Sequence, residues 1–182
     1  MGTETPADPR IALLLRLLDE GFDRKAWHGP NLRGTLRGIP AADAARRPAP
    51  DRHNVWEIAV HAAYWKYAVR RRIAGAGRGS FPLKGSNWFD RPDPAVHPDD
   101  WDAAWAADLK LLDEQHRLLR AAVAGFDPAR LDAPWAGSRY VPYEQILGIA
   151  MHDVYHAGQV RQLKRSAAGE PPAPARKLKR TK

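Results

Sequence analysis

Apolar residues recur at helical spacing in four long stretches of the chain, and segments rich in Pro, Gly and Asp separate them. The first stretch runs from Arg10 to Phe22. A turn at Trp27-His28-Gly29-Pro30 then leads into a helical piece reaching Ile39, whose ends the glycines blur. The second opens at Asn54, an N-cap with Glu57 three residues on as in a capping box, and continues to about Ala74. Its stripe is Val55, Ile58, Ala59, Ala62, Trp65, Val69 and Ile73, with His61 on the edge. The third begins at Asp99 or Asp100 and follows Trp101, Trp105, Leu109, Leu112, His116, Leu119 and Val123, stopping near Gly125. The fourth spans about Tyr143 to Ala167 along Ile149, His152, His156, Val160 and Leu163. No strand alternation of useful length and no internal repeat interrupts this pattern. It predicts an all-α fold, a four-helix bundle with long crossovers.

Between Gly75 and Pro98 lies a connection studded with Gly and Pro that carries Trp88 and Phe89 in its middle. Loops of this length are functional or disordered. Two adjacent aromatics favour a loop folded over the domain and covering a pocket. After Gly169 apolar periodicity ceases and Lys, Arg and Pro dominate, the composition of a disordered basic tail over 169–182. A single helical domain over 1–168 is the organisation expected.

The chain has 182 residues, 44% of them apolar, enough for one domain with a real core. A net charge of +8 invites a nucleic-acid reading. Its location weakens that reading, because residues 161–182 hold eight Lys or Arg against one Glu, leaving 21 basic and 20 acidic residues before them. The one dense basic cluster in the folded part, Lys66, Arg70, Arg71 and Arg72, reads as a solvated helix end, where cations offset the macrodipole and also attract an anionic substrate. No apolar run suits a membrane span, and the N-terminal residues lack the layout of a signal peptide, so the cytoplasm is the expected compartment, with no membrane partner. The absence of cysteine removes disulfides, thiolate ligands and a Cys nucleophile together.

Any metal must therefore be held by His, Asp or Glu, and the seven histidines differ in information. His152 and His156 are four apart on one helix face, so both imidazoles can reach one ion. His61, on another helix, completes the three-ligand set of a catalytic site that keeps one position open. Gln159, Glu57, Asp153 and Tyr155 are candidates for fixing the imidazole tautomers. Glu57 has two readings, as a capping residue or as a group approaching the ion. His116 could be a fourth ligand that closes the site. His97 reads as a surface residue, His28 as the cap of a turn, and His53 has no derived role. His152-Asp153-Val154-Tyr155-His156 also resembles H-E-x-x-H, but Asp is too short for the general base and no further acidic ligand follows before Glu170.

The Trp27-His28-Gly29-Pro30-Asn31-Leu32 segment, the helix His53 to Trp65 bearing His61, and His152-Asp-Val-Tyr-His156-Ala-Gly-Gln159 together resemble the DinB/YfiT-like metalloenzyme family over roughly residues 10–166. The resemblance implies an up-down-down-up four-helix bundle, a homodimer, and a divalent metal on His61, His152 and His156. Zinc and nickel lead among the metals, with iron and manganese as others. It also implies thiol S-transfer or thiol-dependent isomerisation with a low-molecular-weight thiol. The reading taken forward is an enzyme that activates a thiol or water for transfer to, or hydrolysis of, a small-molecule electrophile. Two alternatives stand beside it: a non-catalytic metal-stabilised or metal-sensing bundle, and a nucleic-acid-associated protein acting through its tail.

Overall fold

The computed structural model describes residues 8–76, 79, 81–93, 100–134 and 138–167. His97 and the tail at 169–182 lie outside the described residues. Among the described residues six α-helices follow in order: α1 (Pro9–Phe22), α2 (Leu32–Leu36), α3 (Ala41–Ala45), α4 (Val55–Ile73), α5 (Trp101–Ala124) and α6 (Pro142–Ala167), with a 3-10 turn at Pro128–Arg130 before the last. Among the described residues there is no strand beyond a lone bridge between Ala26 and Gly29 in the turn that carries His28. No described helix is long and apolar enough to cross a membrane.

Local chemistry sets the helix starts. Asp8 caps α1 by accepting from Arg10 N, with Pro9 in the first turn where its missing N–H costs nothing. Asn54 caps α4 with both halves of the capping box present: its side chain takes the Glu57 N–H at 2.8 Å, and Glu57 takes the Asn54 N–H at 3.4 Å. Asp100 caps α5 through Ala103 N.

The four long helices pack together: α4 against α5 and α6, and α1 against α6 and α5. The short α2 lies on α6 and α3 on α4. One apolar cluster centres on Leu36, Trp56, Val60, Leu112 and Val160, the other on Leu18, Leu119, Val123 and Ile146. Each of these large side chains taken out of water contributes about 1.5–3 kcal/mol. Trp56 is buried without an unmet donor because its Nε1 donates to Asp108 Oδ2 at 2.7 Å, and Arg91 Nε donates to the same oxygen at 2.8 Å. Helices α1 and α6 approach so closely at Gly21 that a Cβ there would stand 2.8 Å from the Ala150 carbonyl oxygen.

Two expectations about side-chain placement are corrected. Trp101 heads the α5 stripe in sequence but is 40% exposed, because the first turn of that helix projects past the core that Ala104 and Trp105 enter. Lys66 does not sit with the arginines on a solvated helix end. It is wholly buried, paired with Asp153 of α6 and resting over the Phe22 ring at 4.7 Å. Desolvation lowers the Lys66 pKa and raises that of Asp153 to about 6, while each partner's charge holds the other ionised.

Candidate metal centre

His61 projects from the middle of α4, and His152 and His156 from successive turns of α6. Because α4 and α6 pack together, the three imidazoles converge. His152 Nε2 stands 3.1 Å from His61 Nε2 and 3.0 Å from His156 Nε2. One ring nitrogen from each histidine lies within 4.8 Å of the other two. Two ligands at zinc–nitrogen distance from one tetrahedral ion stand roughly 3.3 Å apart, so the three histidines could hold one ion.

The outer ring nitrogens set what those inner nitrogens can do. His61 Nδ1 donates to the Asn87 carbonyl at 2.8 Å, and His156 Nδ1 donates to Gln159 Oε1 at 2.6 Å. The Gln159 amide is held the right way round because its Nε2 donates to Tyr155 Oη at 3.0 Å. Each of these neutral rings, having its proton on Nδ1, aims an Nε2 lone pair at His152. His152 has one Nε2 and can satisfy at most one of them, while its own buried Nδ1 has no hydrogen-bond partner. A proton does not resolve the surplus at neutral pH: burial pushes His61 down to about 4 and His152 to about 3, and lowers His156 as well. The donor set is therefore three neutral imidazoles with lone pairs facing one point, and a divalent cation fits it.

The loop from Phe81 to Asp93 closes one side. Asn87, at φ 66° in the left-handed region, sends its carbonyl to His61 and its side-chain oxygen to Trp65 Nε1 at 2.9 Å. Trp88 lies flat between two imidazoles, with centroids 3.6 Å from His53 and 3.8 Å from His61. Phe89 is buried and anchors the loop on Tyr64 and Phe81. Of the aromatic pair in the long connection, Trp88 lies over His61 and Phe89 packs into the core beside Tyr64, so the loop folds onto the domain. The sequence does not single out Asn87, since an Asn in a Gly-rich loop carries no periodic signal.

Other sequence candidates separate. Gln159 holds His156, with Tyr155 behind it. Asp153 faces Lys66, not an imidazole, because its side chain leaves α6 toward the core. Glu57 follows the capping reading: it is committed to Asn54, Arg47, His53 and the Arg91 N–H. His116 is stacked on Phe22 at 3.8 Å, and it is not among the three histidines that cluster, so it does not close the site. His28 is exposed, and His53 stacks on the far face of Trp88 from His61.

The larger hollows in the surface, of about 550 and 630 Å³, lie away from these histidines. A smaller one of about 270 Å³ reaches His152 from between α4 and α6. The model of the DinB superfamily matches residues 25–160. No curated protein and no solved structure matches the chain.

Proposed function

The chain belongs to the DinB superfamily, and from that premise we propose that it is a divalent-metal-dependent enzyme that activates a thiol or water for transfer to, or hydrolysis of, a small-molecule electrophile. The observation that carries this reading is the convergence of three Nε2 lone pairs whose tautomers are fixed from outside. His61, His152 and His156 hold the ion, zinc or nickel before iron or manganese. When bound, such an ion keeps its full positive charge on three neutral ligands and lowers the pKa of a water or thiol at its open position.

This chain's own residues do the rest. Asn87 and Gln159 keep the imidazoles oriented, and Trp88 shields the His61 side from water. The absence of cysteine means that a reacting thiol comes from outside, as a low-molecular-weight cosubstrate. His116 stands apart, which supports an open, reactive position over a closed structural one.

In this reading residues 1–168 are one domain, with the four long helices running up-down-down-up. The protein is a homodimer, which the face of α6 supports: Tyr143, Leu147, Met151 and Tyr155 recur every fourth residue and are 36–62% exposed. The test is elemental analysis of untagged protein beside the His152→Ala/His156→Ala double variant. About one ion per chain, lost in the variant, is the expected result. Full metal content in the double variant overturns the ligand assignment.

A further inference from the structure

The small cavity beside His152 is a groove with two chemically different ends. Trp65 and Val69 of α4 and Ile149 of α6 form its apolar walls, and His152 stands at its inner end. Gly148 leaves its middle open, since nothing lies within 4 Å of where a Cβ would stand. Arg72 occupies the outer end, beside Gln145 and Glu144. From Gln145 to His152 the helix rises about 10 Å.

The charges at the outer end are not equivalent. Glu144 is engaged at the start of α6, where it accepts the Val141 N–H at 3.0 Å. Arg72 is exposed and makes only a long hydrogen bond, 3.4 Å, to the neutral Gln145 Oε1. Among the described residues it forms no salt bridge. A guanidinium in that position presents a planar fork suited to a carboxylate, at the mouth of an apolar channel that leads to the reactive centre.

We propose that this groove selects substrates with an apolar body and a terminal carboxylate: Arg72 takes the carboxylate, the α4–α6 walls take the body, and the reacting group is delivered to the ion beside His152. Arg72 is then a specificity-determining residue about two helical turns from the chemistry. The inference rests on the metal-enzyme reading for what happens at the His152 end; the groove and its Arg72 end stand on their own geometry.

The test uses the zinc-loaded full chain and two probes of equal length, ω-mercaptohexanoate and ω-mercaptohexanol, by titration calorimetry. The acid is expected to bind about tenfold more tightly than the alcohol, a difference of about 1.4 kcal/mol. In Arg72→Gln that ratio falls close to one while the alcohol's affinity stays put. In Gly148→Leu both probes weaken by about tenfold or more with zinc content unchanged, because the new side chain fills the groove. Equal binding of acid and alcohol by the wild type, or a preference that survives Arg72→Gln, overturns the proposal. Zinc content is measured on every sample. If the wild type takes up none, the metal reading fails on its own, and hexanoate against hexanol on that metal-free protein decides the groove by the same two criteria.

Discussion

A single amide decides how His156 presents itself. Gln159 accepts the His156 Nδ1 proton at 2.6 Å and is in turn oriented by Tyr155 Oη, so the lone pair on Nε2 always faces inward. Without that acceptor the ring can flip or take the other tautomer, and the site must reorganise before it can hold an ion. Gln159→Leu is expected to weaken zinc binding by about 10–100-fold. Gln159→Glu, which keeps an acceptor in place, should stay near the wild type. Competition against a chromophoric chelator reads both, and an unchanged Kd in Gln159→Leu would show that the amide does not set the tautomer. Asn87 does the same for His61, but through its backbone carbonyl, so its role is written in a left-handed φ and a side-chain bond to Trp65 that no substitution of a carbonyl can probe directly.

At the scale of elements, α4 and the loop that covers the centre meet at Asn54. Its side-chain oxygen caps the helix through Glu57 N, and its Nδ2 donates to the carbonyls of Ala45 at 3.1 Å and Arg91 at 2.7 Å. One buried residue therefore starts the helix that carries His61 and ties down the end of the loop that carries Trp88. Asn54→Ala should cost about 2 kcal/mol or more in urea unfolding, the loss of a cap together with two acceptors left buried. Asn54→Ser keeps the cap and loses only the tethers; it should fall between the two, and wild-type stability there would mean that the tethers contribute nothing. The same residue marks the limit of what sequence could show. Its capping box spans four residues and is legible, as are the i, i+4 histidines and the helices themselves, because each is a local or periodic signal. Its bond to Arg91 joins residues 37 apart, and the Lys66–Asp153 pair joins residues 87 apart. A lysine on a helix flank looks the same whether water or a buried aspartate awaits it, so the pattern alone assigns Lys66 to solvent. Trp101 differs for a related reason: periodicity gives the face of a helix but not how far along that face the core extends.

Across the whole molecule the buried titratable groups make stability depend on pH in a stated direction. In metal-free protein burial holds His61 at about 4, His152 and His116 at about 3, and lowers His156, all below the ordinary histidine value. Between pH 6.5 and 4 the unfolded chain binds protons that these folded rings refuse, so stability is full above about pH 6.5 and is lost on acidification. His61, His152 and His116 each contribute a slope of roughly 1.4 kcal/mol per pH unit in that window. Asp153, raised to about 6, works the other way, since the fold takes its proton before the unfolded chain does. It offsets about one of these three histidines. The net expectation for chelator-treated protein is a fall on the order of 3 kcal/mol per pH unit between pH 6 and 5, read from urea midpoints. His116→Phe isolates one share of that slope. The new ring can keep the stack on Phe22, whose centroid lies 3.8 Å from the imidazole it replaces, and it removes a group remote from the three clustered histidines. The variant should show a slope shallower by about 1.4 kcal/mol per pH unit, with zinc content unchanged. An unaltered slope would mean that His116 does not titrate on unfolding in this window, and a loss of zinc would place it in the centre after all.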